Sequence, residues 1–209
     1  MTDRNSGEPA KRVRLSPEER RRQLIALGTE MLRERAIEDI SIGEIAEQAG
    51  ISRGLLFHYF ASKQEFQLAI LRNANEELLD RTAPDPNLGL FDMLRDAVER
   101  YVAYVSANRT PYLAILRGPS SADPELAALA ESSRATFVDR ILVNARLLVD
   151  DPDHPRLRLA VRGWIAFVEE TTLSWLRQET ISRDQLIDML VESLPALALS
   201  PALTEALRQ

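Results

Sequence analysis

Residues Ser41 to Lys63 read SIGEIAEQAGISRGLLFHYFASK, and the spacing within this stretch decides the fold. Ser41 followed three residues later by Glu44 forms a capping box that opens a very short helix through Gln48, and Ala49-Gly50-Ile51 ends it with a glycine free to take positive φ. A second short helix begins at Ser52. Ser62-Lys63-Gln64-Glu65 is a further capping box and opens a long helix to about Arg81. Two short helices joined by a three-residue turn, set between longer helices, are the arrangement that presents a helix to the DNA major groove. Two turns suffice, because the groove is about 12 Å wide and only three or four side chains reach base edges.

Within this unit Ile45, Ala46 and Ile51 are the apolar residues expected to lock the two helices at a fixed angle, with Leu56 and Phe60 continuing that core. Ser52, Arg53, Gly54, Leu55 and His58 are left facing outward. Arg53 suits a bidentate contact to guanine, Gly54 permits close backbone approach, and Leu55 suits a thymine methyl. Tyr59 and Lys63, with the amides that start the next helix, suit phosphates. Ser41 completes the expected DNA-contacting set.

Outward from this unit the reading is all-α, since apolar residues recur at three and four positions and almost nowhere alternate. Ser16-Pro17-Glu18-Glu19 caps a first helix that carries Leu24, Leu27 and Met31 on one face and runs to about Arg35. Further helices are expected at about 90–107, 111–117, 124–149, 155–178 and from the Ser182–Gln185 capping box to near Pro195, with proline-bearing turns between them. The organisation expected is a disordered basic arm over 1–15, a helix-turn-helix domain over 16–62, and a helical effector-binding and dimerisation domain over 63–209, with the helix 63–81 linking the two.

Composition narrows the function classes. The 209 residues include no cysteine and only two histidines, His58 and His154, which excludes disulfides, thiolate nucleophiles and thiolate metal sites. No phosphate-cradling glycine loop, paired-histidine metal motif or nucleophile elbow occurs, so no enzyme, cofactor or metal site is expected. Asp150-Asp151-Pro152-Asp153 reads as a solvated turn, lacking the ligand spacing of a calcium loop. No run of 18 apolar residues is present, and the N-terminal stretch has no apolar segment after its basic residues, so no membrane association and a cytoplasmic location are expected. Net charge is −6, but it is polarised: residues 1–22 hold seven basic and four acidic groups, whereas 83–209 hold 13 basic and 18 acidic. Lys11, Arg12 and Arg14 are either a DNA-contacting arm or a solubilising tail.

The stretch from Ser41 to Lys63 closely resembles the DNA-binding domain of the TetR family of transcriptional regulators, through its Ile-Ala, Ala-Gly, Ser-x-Gly, aromatic-x-x-Phe and Ser-Lys elements in the right order. The resemblance covers about residues 18–66 and implies that Ser52, Arg53, Leu55, Tyr59 and Lys63 meet DNA. Three departures stand out. Leu55 replaces the usual threonine and favours apolar base readout. Phe57 replaces the usual tyrosine and, without the hydroxyl, reads as a core ring. Ala36 stands where the family favours glycine, implying a different end to the first helix or modest strain.

In the second domain, Leu157, Val161, Trp164, Val168 and Trp175 line one side of a helix while Ile165, Phe167, Leu173 and Leu176 spread the apolar surface around it. Leu186, Ile187, Leu190, Val191 and Leu194 widen the following helix likewise. Such stripes suit a four-helix interface with a second copy, which is how the resemblance implies dimerisation; Trp164, Val168, Trp175, Leu186, Leu190 and Leu194 are the expected interface residues, and Gly163 permits a close crossing. The alternative, that both stripes are ordinary intrachain core, stays open. A dimer places two reading helices about 34 Å apart on a near-palindrome.

The expected effector pocket comprises Phe91, Tyr101, Tyr104, Tyr112, Arg117, Phe137, Asn144 and Phe167. Glu169 and Glu170 either orient the ligand or satisfy a dimer contact. The reading is a homodimeric regulator on double-stranded DNA, a repressor released by a largely apolar small molecule; an effector-independent architectural protein or an activator is the alternative.

Overall fold

The computed structural model describes residues 15–117, 124–146 and 155–198. Among these the chain is helical throughout: α1 (Pro17–Leu32), α2 (Ile42–Gln48), α3 (Arg53–Tyr59), α4 (Lys63–Arg81), α5 (Leu90–Ala107), α6 (Arg109–Arg117), α7 (Pro124–Ala145), α8 (Pro155–Gln178) and α9 (Arg183–Ala198). None of these helices is long and apolar enough to cross a membrane. Lys11, Arg12, Arg14, His154 and the Asp150–Asp153 turn lie outside the described residues.

The capping signals set the helix starts. Ser16 and Glu19 close a reciprocal box, with Ser16 N–H donating to Glu19 Oε2 at 2.7 Å and Glu19 N–H to Ser16 Oγ at 3.2 Å. Ser182 and Gln185 repeat it at 2.9 and 3.2 Å. Two boxes differ from expectation. The Ser41 hydroxyl caps α2, but the Glu44 carboxylate pairs with Arg35 at 2.9 Å instead of turning back. Glu65 reaches one residue further than a box requires, accepting from Ala61 N–H at 2.7 Å.

The first helix stops at Leu32, three residues short of the expected end, and a 3₁₀ turn at Ile37–Asp39 follows. Ala36 is extended, φ −64° and ψ 152°, so this ending needs no glycine and stores no strain. At the other end of the chain, α9 continues through Pro195 to Ala198 where the proline was expected to terminate it.

Two apolar cores result. One joins α1, α2, α3 and the first half of α4, with Leu24, Leu32, Ile45, Leu56, Phe60 and Ile70 wholly enclosed. Phe60 and Phe66 meet edge to face with centroids 4.8 Å apart, an arrangement favoured by ring quadrupoles. The approach of α1 to α4 is close enough that a Cβ on Gly28 would stand 2.4 Å from Ile70 Cδ1. The other core joins α5, α7, α8 and α9 around Val102, Val105, Trp164, Leu186 and Leu190. Helix α4 serves both, with Phe66 to Leu71 in the first core and Leu78 in the second. Ile115 of α6 and Leu126 and Ala130 of α7 also pack into the first core.

Candidate nucleic-acid interface and internal cavity

The turn between α2 and α3 is held by its own backbone. Gly50 adopts φ +64°, Gly50 N–H donates to Glu47 carbonyl at 3.0 Å, and Ile51 N–H donates to Ala46 carbonyl at 2.9 Å. The Arg20 guanidinium reaches from α1 to the Ala49 carbonyl at 3.3 Å. With Ile45, Leu56 and Phe60 fully buried behind it, α3 cannot rotate, and its opposite face is committed to solvent.

That face carries Ser52, Arg53, Gly54, Leu55 and His58, all exposed. The Ser52 hydroxyl accepts from Leu55 N–H at 3.1 Å as the cap of α3. The Ser41 hydroxyl is half-buried and likewise engaged, accepting from Gly43 N–H at 3.2 Å. Tyr59 is half-buried, its ring edge-on to His58 at 5.7 Å. Lys63 Nζ donates to the Glu38 carbonyl at 2.9 Å. The Arg53 guanidinium folds back over the first turn of α2, where a Cβ on Gly43 would lie 2.5 Å from Nη2.

Phe57 corrects the sequence reading. It is 46% exposed and stands beside Leu55, 39% exposed, so it is a surface ring and not a core one. Its position four residues after Arg53, one turn along the same helix face, is the signal that would have identified it.

Behind this unit, α5, α7, α8 and α9, with Thr82 and Pro84 after α4, line a partly open cavity of about 220 Å³. Of the residues expected in the pocket, Phe91, Tyr101, Phe137 and Asn144 line it. Three other expected pocket residues lie elsewhere. Tyr104 is buried against α4, its hydroxyl donating to the Ala74 carbonyl at 2.7 Å, and burial pushes its phenol up to about 12. Tyr112 pairs its hydroxyl with that of Tyr101 and faces a smaller neighbouring space, while Phe167 is a half-buried packing residue of α8. The Arg117 side chain lies outside the described residues.

The cavity draws on α8 and α9 more than expected. Trp164, Val168 and Leu194 line it, and with Leu186 and Leu190 they are buried in their own chain, so these five present no surface to a second copy. Trp164 is pinned by its Nε1–H, which donates to Leu190 carbonyl and Ser193 Oγ, each at 3.0 Å. Trp175 is half-buried and donates to Ile181 carbonyl at 2.8 Å. The buried members of the two stripes are packed within their own chain, while Phe167, Trp175 and Leu176 are half-buried. The exposed residues of α8 and α9 include Leu159, Gly163, Ala166, Met189 and Leu197, interspersed with charged ones such as Arg158, Arg162, Glu170 and Glu192.

The charged groups at the cavity come from α7 and α8, and sequence reasoning missed Arg140. Glu169 accepts three hydrogen bonds from Arg134, Nε to Oε1 at 3.1 Å, Nε to Oε2 at 3.0 Å and Nη2 to Oε2 at 2.9 Å, which raises the Arg134 guanidinium above its usual range. Arg140 reaches the end of α4, donating to the Leu79 carbonyl at 2.8 Å.

Residues 24–70 match the family described as bacterial regulatory proteins, tetR family, and residues 90–197 match the tetracyclin repressor-like C-terminal domain. The chain is 34% identical to a tetR-family transcriptional regulator from Streptomyces coelicolor, covering 92% of this chain and 85% of that one with a TM-score of 0.78. It is 26% identical over 184 residues to the HTH-type transcriptional activator FasR of Mycolicibacterium smegmatis, covering 86% of this chain and 83% of FasR. The fold also matches that of the transcriptional regulator FadR from Bacillus subtilis in complex with stearoyl-CoA, at 16% identity and a TM-score of 0.64 over 83% of this chain and 96% of FadR.

Proposed function

Since the chain belongs to the TetR family of transcriptional regulators, with α2 and α3 as its DNA-binding helix-turn-helix, we propose that it binds a palindromic operator as a homodimer and releases it when a largely apolar effector fills the cavity. The observation that carries this reading is the face of α3: Arg53, Leu55, Phe57 and His58 are exposed together on a helix whose other side is anchored by Leu56. Such a face offers one cationic fork, two apolar groups and an imidazole over two turns, which suits base edges in the major groove. Ser52, Ser41 and Gly54 allow close approach of the backbone, and Tyr59 and Lys63 suit phosphates on either side.

One short helix contacts too few bases for specificity, so the reading requires two copies. Helices α8 and α9 supply the pairing surface through Leu159, which is 71% exposed, Met189 and Leu197. Gly163 has no heavy atom near its missing Cβ, leaving room for a partner helix to cross closely. Residues 16–62 form the reading head and 63–209 the effector and pairing unit.

Effector binding must favour the state that does not fit DNA, since a ligand with equal affinity for both states shifts nothing. The cavity favours this effector-responsive reading over an architectural one. An activator reading has its own support in the similarity to FasR, an activator by name. Selection of bound sequences from a random duplex library, with the bound species sized, tests the proposal: a palindrome bound by a dimer is expected, and absence of enrichment overturns it.

A further inference from the structure

The polar groups around the cavity are unequally satisfied. Glu169 is matched by the three bonds from Arg134. Tyr101 is paired with Tyr112, Asn144 Nδ2 donates to the Arg140 backbone carbonyl at 2.8 Å, and the Thr82 hydroxyl donates to the Leu78 carbonyl at 2.7 Å. Arg140 differs. It lines the cavity, half-buried, and its guanidinium meets only neutral acceptors: Nη1 donates to the Leu79 carbonyl at 2.8 Å and meets Thr82 Oγ1 at 3.5 Å. Phe137 lies beneath it at 5.9 Å. The acid it feels is Asp80, exposed on α4 and outside ion-pair distance. Partial burial pulls Arg140 below the usual guanidinium range, and Asp80 offsets this only in part.

The rest of the lining is aliphatic and aromatic, including Leu94, Val98, Phe137, Ile141, Trp164 and Ile165. With this lining, the cavity of about 220 Å³ suits an apolar chain. We propose that the effector is an anionic amphiphile whose apolar chain fills the cavity and whose carboxylate sits on Arg140, drawing that guanidinium from the last turn of α4. This rests on the reading of the cavity as the effector site.

The geometry also supplies a route to the DNA-binding unit. The carbonyl that Arg140 holds belongs to Leu79, and the other end of the same helix begins at Lys63, directly after α3. An anion competing for the guanidinium loosens the tie between α7 and the C-terminal end of α4. A neutral ligand of the same length fills the cavity and leaves the tie in place.

Calorimetric titration of the full chain with decanoate and with its methyl ester separates the parts of this proposal. Decanoate is expected to bind at least tenfold more tightly than the ester. Arg140→Gln is expected to abolish that preference while leaving the ester affinity within about twofold, and Arg140→Lys, which keeps the charge, to retain part of it. Equal binding of acid and ester by the unmodified protein overturns the role of Arg140 and leaves the apolar cavity reading standing. Binding of neither overturns both. Backbone amide exchange at the last turn of α4 should quicken with decanoate and not with the ester; unchanged exchange overturns the link to α4. The comparison of acid with ester uses the unmodified protein and needs no variant to fold.

Discussion

The Arg53 guanidinium rests against Gly43, one helix away, in the space that any side chain at position 43 would occupy. The residue proposed to read a guanine is therefore seated over the first turn of α2. Arg53→Ala is expected to weaken operator binding by about 1 to 3 kcal/mol, with the loss concentrated at one base position. Binding measured against a panel of single-base operator variants checks this, and a uniform loss over the panel would assign Arg53 to phosphate instead.

Gly43→Ala offers a complementary test. The obstructing atoms are the far end of a flexible exposed side chain, so the guanidinium yields, and alanine is the better helix former by up to about 1 kcal/mol. Thermal melting should show stability unchanged or raised. A clear drop in melting temperature would mean that the seat of Arg53 on Gly43 is a structural contact.

Lys63 behaves differently. Its ammonium donates to the Glu38 carbonyl, a neutral partner that a phosphate oxygen can replace. Lys63→Ala is expected to lower the slope of log affinity against log salt by about 1 while leaving sequence preference intact. Titrations at several salt concentrations measure this directly, and an unchanged slope places Lys63 away from the phosphates.

Gly28 is where α1 and α4 touch. A methyl group there meets Ile70 Cδ1 at 2.4 Å and Phe66 Cζ at 3.2 Å, and both side chains are fully buried. Overpacking of this kind costs about 1 to 3 kcal/mol. Urea unfolding of Gly28→Ala should show the loss, outweighing the gain in helix propensity that the same substitution brings elsewhere.

The outer and inner faces of α8 should separate pairing from folding. Leu159→Arg places a charge on the most exposed large apolar side chain of this helix, and it is expected to shift the protein to monomer in sedimentation while leaving its melting little changed. Trp164→Ala should instead lower stability by about 3 to 5 kcal/mol, because the indole is buried and hydrogen-bonded within its own chain. The opposite pattern would restore Trp164 to the interface.

The elements and the exposed face of α3 were legible in the sequence because each is written locally. Ser16 and Glu19, or Ser182 and Gln185, lie three residues apart and satisfy the same helix end, so the code for a helix start is contained in four positions. The alternation of Leu56 and Phe60 with Arg53 and His58 is likewise a matter of one helical period. Phe57 was misread for a reason of the same kind in reverse: identity suggested a core ring, while its spacing from Arg53 put it on the outer face.

Helical periodicity states which faces are apolar, and this much the amino-acid order determined: nine helices among the described residues, a short helix facing solvent with Arg53, and wide apolar stripes on α8 and α9. What lies against a stripe is a property of other segments. Only the packed structure decided that Trp164 and Leu190 face their own chain and that Leu159 and Met189 face outward. The cavity is decided there too, since it is a gap left among four helices and no residue encodes a gap. The same holds for Arg140 and Leu79, which are 61 positions apart and meet because α7 crosses the end of α4.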